Sequence, residues 1–252
     1  MVDILMVGGV SLKFNFHSMK YTMKQTLILG IGNILWADEG FGVRAVEKLN
    51  QYYQFDDNVK VMDGGTQGIY LVQFVEEAEI LVVFDAIDYG LEPGEMKLIE
   101  GEDVPKFMGV KKMSLHQTGF QEVLMMAEML GRYPEHLLLV GVQPVELEDF
   151  GGSLREKTRQ QIDPAIEAAL DWLKQFDIHA TKRVKPLSKE HALAGKEMDI
   201  KTYEEQRPSA EAASRVGDNR VLHSKEFHIQ YKPHKLDEEK VIACDVDHRG
   251  KY

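Results

Sequence analysis

Three residues in separate stretches of the sequence have side chains suited to binding a divalent metal ion. Glu39 lies in a loop after a glycine-rich turn, Asp85 ends an apolar run, and His116 precedes a helical stretch. Two carboxylates and one imidazole would supply oxygen and nitrogen ligands and leave coordination positions open. Because no cysteine thiolate is among them, we expect a borderline, exchangeable metal site rather than a structural zinc site.

Each of the three residues also has an ordinary structural interpretation. The negative charge of Glu39 at the start of a helix would interact favourably with the positive end of the helix dipole, and Asp38 beside it would be the N-cap. Asp85 can simply cap the loop after its strand, and His116 can be a plain helix-start histidine. The metal interpretation therefore requires that the fold bring the three together.

The hydrophobic pattern predicts strands that alternate with helices. The expected strands are Thr26–Gly32, Val59–Met62, Ile80–Phe84, Glu95–Ile99 and His136–Val142. The expected helices follow Asp38 or span Ile69–Val75, Gln117–Leu130 and Leu154–Phe176. This alternation predicts an α/β fold with a mostly parallel, twisted sheet covered by helices on both faces.

In such a sheet the functional crevice lies at the carboxyl ends of the strands, near a topological switch point. The loops expected at that edge are Gly32–Gly42, Asp63–Gly68, Asp85–Gly90 and Ser114–Gly119. Glu39, Asp85 and His116 each belong to one of these loops. The strand-end rule therefore predicts that the three side chains share one rim.

Composition limits the class of protein. The 252 residues suffice for one α/β domain with appendages, and the apolar fraction of 44% is typical of a globular chain. The net charge of −11 argues against a general nucleic-acid binder. No apolar run approaches the roughly 20 residues that span a bilayer. The single cysteine, Cys244, excludes an internal disulfide framework, and we expect a cytoplasmic protein.

The two ends differ from the middle of the chain. The apolar piece Ile4–Leu12 is short, lacks a preceding basic residue and precedes a complete first strand, so residues 1–23 are predicted to be a leader outside the core. Long apolar runs stop near Phe176. We therefore expect a core domain at residues 24–181 and a polar, partly mobile extension at residues 182–252.

The pair Gly30 and Gly32 raises the possibility of a dinucleotide-binding turn. The pattern G-x-G-x-x-G requires a third glycine, and Leu35 stands at that position. A nucleotide-binding oxidoreductase is therefore a weak alternative, and no organic cofactor is expected.

Five motifs together resemble the nickel–iron hydrogenase maturation endopeptidases over roughly residues 25–182, and are closest to the branch that processes uptake hydrogenases. These motifs are Gly30–Arg44, Asp63–Gly68, Asp85–Gly90, Met113–Gln117 and Gly141–Pro144. The resemblance implies a three-layer α/β/α sandwich and a metal site formed by Glu39, Asp85 and His116, which would also be the catalytic residues.

The resemblance also implies the substrate and the reaction. The substrate would be a nickel-loaded large-subunit precursor, cut after the His or Arg of a C-terminal Cys-x-x-Cys-x-x-His/Arg motif. The nickel would be supplied by the substrate, and the nucleophile would be a water polarised by the metal or deprotonated by a carboxylate. Substrate contacts are expected from Asp63, Gly64, Gly65 and Thr66. The main alternative is a non-catalytic nickel-binding chaperone of hydrogenase assembly that uses the same ligands.

Overall fold

The computed structural model describes residues 6–7, 10–11, 24–108, 115–188, 191–193, 195 and 198–207. Within these ranges, the side chains of residues 6–7, 10–11, 106–108 and 115–118 lie outside the description. Most of the predicted leader and the part of the predicted extension beyond Arg207 fall outside the described residues.

The described residues form strands, α-helices and three short 3-10 turns. The strands β1 to β9 are Met6–Val7, Val10–Ser11, Thr26–Ile31, Tyr53–Gln54, Val59–Gly65, Ile80–Ala86, Met96–Glu100, His136–Val142 and Thr181–Lys182. The helices α1 to α7 are Phe41–Tyr52, Val72–Val75, Asp103–Met108, Leu115–Met129, Glu156–Arg159, Ile162–Leu173 and Ile200–Gln206. The 3-10 turns are Ala37–Gly40, Gly68–Leu71 and Lys174–Phe176.

A five-stranded sheet in the order β5-β3-β6-β8-β7 forms the centre of the domain. All neighbours pair in parallel except β7, which runs antiparallel to β8 at one edge. From β3 the chain first goes to β5 on one side and then to β6 on the other. The topological switch point therefore lies between the carboxyl ends of β3 and β6. The parallel pairing of four of the five strands confirms the mostly parallel sheet predicted from the sequence.

Apolar residues fill both faces of the sheet because successive strand side chains point to opposite sides. On one face, Ile28, Val82 and Val140 pack with residues of α1 and α6. On the other face, Leu29 and Val83 pack with residues of α2, α3 and α4. The chain is thus an α/β/α sandwich of three layers, as predicted.

Two glycines let α1 approach the sheet closely. A Cβ on Gly42 would lie 2.1 Å from the carbonyl oxygen of Phe84 and 2.3 Å from that of Ile31. A Cβ on Gly30 would lie 2.3 Å from the carbonyl oxygen of Gly42. These contacts are with backbone, which cannot swing aside, so glycine is required at both positions. The first turn of α1 consequently begins directly over the carboxyl ends of β3 and β6.

The predicted single helix Leu154–Phe176 is wrong in one respect. The structure divides it into α5, α6 and a final 3-10 turn, with the interruption at residues 160–161. Pro164 explains the interruption, because proline has no N–H to donate to the carbonyl of Gln160 in a continuous helix. The chain instead restarts as α6, with Pro164 in the first turn, where a missing N–H is tolerated.

The described part of the predicted extension packs against the domain. β9 pairs antiparallel with β4 across the predicted boundary at residues 181/182. The amide of Arg183 donates to the carbonyl of Tyr52 at 2.8 Å, and Leu193 and Ile200 pack against the core. Contacts with the domain thus continue through α7.

None of the described helices is long and apolar enough to cross a membrane.

The close approach of α1 makes Gly42 a test of the fold. Gly42→Ala should lower the free energy of unfolding by about 3 kcal/mol or more, since overpacking against backbone cannot relax cheaply. Gly101→Ala is the matched control: no atom lies within 4 Å of its Cβ position, and only its φ of +57° is unfavourable. The control should lose about 1 kcal/mol. Urea denaturation of both variants measures the difference, and equal losses would contradict the role assigned to Gly42.

Candidate functional site

Asp85 lies near the carboxyl end of β6 and is fully buried. Its neighbour in the register of β8 is Gly141. A Cβ on Gly141 would lie only 2.6 Å from the hydroxyl of Tyr89, so the Tyr89 ring occupies the space above that glycine. Burial raises the pKa of Tyr89, and the negative charge of Asp85 raises it further. Tyr89 is therefore a neutral phenol whose charge state is coupled to the carboxylate.

Gln143 fixes the loop that follows Asp85. Its side-chain oxygen accepts hydrogen bonds from the amides of Tyr89 at 2.9 Å and Leu91 at 3.1 Å. Its side-chain nitrogen donates to Asp88 at 3.0 Å. With 6% of its surface exposed, this glutamine organises the segment after β6 from within.

Glu39 lies in the 3-10 turn Ala37–Gly40, and the backbone of this turn is fixed on both sides. The amide of Glu39 donates to the carbonyl of Trp36 at 2.9 Å, and its own carbonyl accepts from Asn33 at 3.2 Å. Gly32 lies directly below with φ +136°, and a Cβ there would be 1.8 Å from the carbonyl oxygen of Glu39. The half-buried side chain of Glu39 therefore projects from a tightly held turn at the switch point.

Asp38 is not the N-cap that the sequence predicted. It lies inside the 3-10 turn, and α1 instead begins after Gly40 without a side-chain cap. The fully buried Asp38 carboxylate accepts hydrogen bonds from the amides of Val145 at 2.8 Å, Glu146 at 3.0 Å and Arg155 at 2.7 Å. A local capping rule was wrong here because the partners lie more than a hundred residues further along the chain.

The predicted substrate-binding residues Asp63–Thr66 lie at the carboxyl end of β5, next to β3. A Cβ on Gly64 would lie 2.8 Å from a methyl group of Leu29, and Gly65 has φ +45°. The backbone of Gly65 thus favours glycine, and a side chain on Gly64 would press against Leu29. Thr66 does not cap the next helical turn, which has Gln67 at its N-cap position and no side-chain cap. Thr66 is exposed at the rim.

Burial raises the pKa of Asp63, and this effect outweighs both a hydrogen bond from the amide of Gly65 and the positive charge of Arg44. Arg44, 4% exposed, donates to Glu47 at 2.8 Å and to the carbonyl of Met198 at 2.5 Å. Burial likewise raises the pKa of Glu47 despite its pairing with Arg44. The buried Arg44 and the half-buried carboxylates of Glu47 and Asp63 thus lie where β5, α1 and the segment before α7 meet.

His116 is the second residue of α4, and its side chain lies outside the described part of the chain. One turn later, a Cβ on Gly119 would lie 3.3 Å from the Cα of Gly68. The first turns of α4 therefore lie against the end of the Asp63–Gly68 loop. The backbone of His116 is thus placed near the same edge of the sheet as the other predicted site residues.

The structure brings the segments that carry Glu39 and Asp85 together. The 3-10 turn containing Glu39 contacts β6, and Gly42 lies against the carbonyl of Phe84, the residue before Asp85. Among the described residues, no three His, Cys, Asp or Glu form a group that could hold a metal ion. The assignment of Glu39, Asp85 and His116 as a metal site therefore stays a prediction.

Arg44 and Gln143 were not predicted as site residues. Both belong to motifs recognised in the sequence, but the motifs alone do not show what their side chains contact. What singles them out is their burial, which the sequence does not reveal because arginine and glutamine are ordinarily exposed.

The fold and the site define a class: a three-layer α/β/α protein whose acidic residues lie at the topological switch point of a mostly parallel sheet. The family model of hydrogenase maturation proteases (HycI) matches residues 43–172. The hydrogenase expression/formation protein HupD of Thiocapsa roseopersicina is 59% identical over 200 residues, which cover 79% of this chain and 90% of that protein.

Solved structures agree with this match. The hydrogenase maturating endopeptidase HybD from Escherichia coli superposes with a TM-score of 0.60 and 38% identity, over 63% of this chain and 98% of that one. The hydrogenase 2 maturation protease of Escherichia coli K12 is 39% identical over 62% of this chain and 95% of that protein. The chain belongs to the hydrogenase maturation protease family, and its HupD, HupM and HoxM relatives place it in the uptake-hydrogenase branch.

The raised pKa of Asp63 predicts that ionisation of this carboxyl group lowers the free energy of unfolding. Folded Asp63 binds its proton more tightly than the unfolded chain, whose reference pKa is 3.8. Ionisation therefore costs stability as the pH rises through that value and on through the folded pKa. Asp63→Asn, which avoids ionisation, should be more stable than wild type near pH 7, and the difference should shrink toward about pH 4. Urea denaturation across this range measures the effect.

The control for this experiment is Glu77→Gln, an exposed carboxylate in the turn before β6. Its stability relative to wild type should not depend on pH. If Asp63→Asn were instead destabilised near pH 7 and recovered at low pH, the assigned direction of the pKa change would be wrong.

Proposed function

We propose that the chain is an endopeptidase that removes the C-terminal extension from the nickel-loaded large-subunit precursor of a nickel–iron hydrogenase. The observation that carries the proposal is the meeting of the Glu39 turn with the end of β6, which bears Asp85, in a chain of the hydrogenase maturation protease family. The cut follows the His or Arg of the precursor's C-terminal Cys-x-x-Cys-x-x-His/Arg motif.

The nickel in this proposal belongs to the substrate. The two carboxylates suit a divalent cation because their charges offset its own, and the fully buried Asp85 lies where electrostatic attraction is weakly screened. Together with the His116 imidazole they form an oxygen and nitrogen donor set without thiolate, which fits a metal that is inspected and then released. A precursor without nickel would bring no divalent cation for Glu39 and Asp85 to bind.

Hydrolysis follows from the same groups. A water molecule, polarised by the metal or deprotonated by a carboxylate, adds its oxygen to the carbonyl carbon of the scissile peptide. The peptide C–N bond then breaks, and the departing nitrogen takes up a proton and leaves as the amine of the released peptide. The enzyme's contribution is to hold the carboxylates in place, which the fixed backbone of the Glu39 turn and the Gln143 network around the loop after Asp85 support.

The loop that follows β5 is proposed to hold the precursor segment. The half-buried Asp63 and the glycines after it lie beside β3, and the next residue, Thr66, is exposed. Backbone without side chains allows another chain to approach closely. The raised pKa of Asp63 is consistent with a carboxylate kept for binding rather than for stability.

The decisive experiment incubates the purified full-length chain with nickel-loaded precursor and identifies the released peptide by mass spectrometry. Glu39→Gln, Asp85→Asn and His116→Ala should each remain folded and lower the cleavage rate by at least about a hundredfold, the size typical of losing an acid–base group. The control variant Glu77→Gln, which removes an exposed carboxylate at the opposite end of the sheet, should cleave at the wild-type rate. Wild type should leave nickel-free precursor intact.

The possible failures of this experiment separate the parts of the proposal. Equal cleavage of nickel-free and nickel-loaded precursor would disprove the metal check while the protease assignment stands. Full activity of all three variants would show that the site is assigned wrongly. Binding of nickel-loaded precursor without any cleavage would favour the non-catalytic chaperone.

A further inference from the structure

An exposed apolar strip lies beside the Glu39 turn. It consists of Leu35, Trp36, Val145 and Phe150, whose exposed fractions are 38%, 36%, 44% and 63%. We call these four residues the aromatic ridge. Only Ala37 and Asp38 separate the ridge from Glu39 in the sequence.

The ridge is held in a defined conformation although it faces solvent. The rings of Trp36 and Phe150 meet edge to face with their centroids 5.2 Å apart. The backbone of Trp36 bridges to Phe150 and to Gly152, and the amide of Gly151 donates to the carbonyl of Leu35 at 2.7 Å. The two loops that form the ridge are therefore joined along their backbones.

Buried interactions below the ridge keep it in place. The Asp38 carboxylate joins the same two loops through its hydrogen bonds to Val145, Glu146 and Arg155. Ala37, between Trp36 and Asp38, has φ +42°, a left-handed conformation that costs a residue with a Cβ about 1 kcal/mol. Strain of this kind persists only where surrounding contacts enforce it, and it is concentrated at functional sites.

The outer side of the ridge is braced by α7. The hydroxyl of Tyr203 donates to the carbonyl of Gly152 at 3.4 Å, and Ser153 donates to Glu204 at 2.6 Å. Asp149, the residue before Phe150, accepts from Arg155 at 2.8 Å. The ridge is thus fixed from inside the domain and from its surface, while its own side chains add little to the core.

We propose that the aromatic ridge is the docking surface for an apolar patch on the folded part of the hydrogenase precursor. The inference rests on the proposed function, because it assigns the precursor as the occupant. The ridge is continuous with the Glu39 turn, so it is the exposed apolar surface next to the place where the precursor would be cut. Preorganised aromatic side chains bind with little loss of conformational entropy and dominate many protein interfaces.

The test compares Trp36→Ala and Phe150→Ala with wild type in steady-state cleavage of nickel-loaded precursor. Each variant should raise KM about tenfold, as expected for a truncated interface aromatic, and change kcat less than about twofold. The matched control is Met129→Ala, because Met129 is apolar, 81% exposed and lies at the end of α4 that leads into β8. It should leave both parameters unchanged. Circular dichroism should show all three variants folded.

Calorimetric titration with the precursor measures docking independently of cleavage. Weaker binding by both ridge variants, with the Met129→Ala control unaffected, supports the proposal. Equal affinity of the ridge variants and wild type would overturn it, even if wild type failed to cleave and the proposed function were wrong. A fall in kcat at constant KM would overturn it in favour of positioning Glu39. Loss of a wild-type dimer in sedimentation, with unchanged precursor affinity, would show that a second copy occupies the ridge instead.

Discussion

The site depends on how closely α1 approaches the sheet. Gly30 and Gly42 let helix and strand backbones touch, and any side chain at either position would collide with a carbonyl oxygen. This contact sets the height of the 3-10 turn above the sheet, and Gly32 lets the chain pass beneath that turn. Glu39 can therefore lie beside the end of β6 only because three glycines precede or follow it. Of the two glycines that invited a nucleotide-binding interpretation, Gly30 lies against α1 and Gly32 lies against the 3-10 turn.

A second layer of polar contacts converts this placement into a rigid rim. Asp38 and Gln143 are both buried, and each uses its side chain to hold backbone amides of a loop that has no regular structure of its own. Buried polar groups are costly unless they are fully hydrogen-bonded, so such networks fix a single arrangement. Asp38 holds the loops on the Glu39 side of the crevice by hydrogen bonds, and Gln143 holds the loop after Asp85 in the same way. The backbone around each of the two candidate ligands is thus fixed by a different buried side chain.

Local patterns in the sequence predicted the central sheet well. Long apolar runs such as Ile80–Phe84 and His136–Val142 read directly as buried strands, and the alternation with helices implied the parallel sheet and its switch point. The candidate site was assigned from the strand-end rule together with the family motifs, and this assignment stays a prediction. The role of Asp38 was mispredicted, because a capping rule considers only neighbours in sequence. The cluster around the buried Arg44 was not predicted, since it depends on chain segments more than a hundred residues apart.

The hydrogen bonds of Asp38 also determine how the molecule fluctuates. Loops ordinarily open on their own, at free energies far below that of global unfolding. The amides of Val145, Glu146 and Arg155 are different, because releasing any of them from the carboxylate would leave a buried charge with fewer partners. Opening this loop is therefore tied to disrupting the turn beside it and the first turn of α1. We therefore expect these three loop amides to exchange with solvent about as slowly as amides of the central strands, because both would require opening of the core.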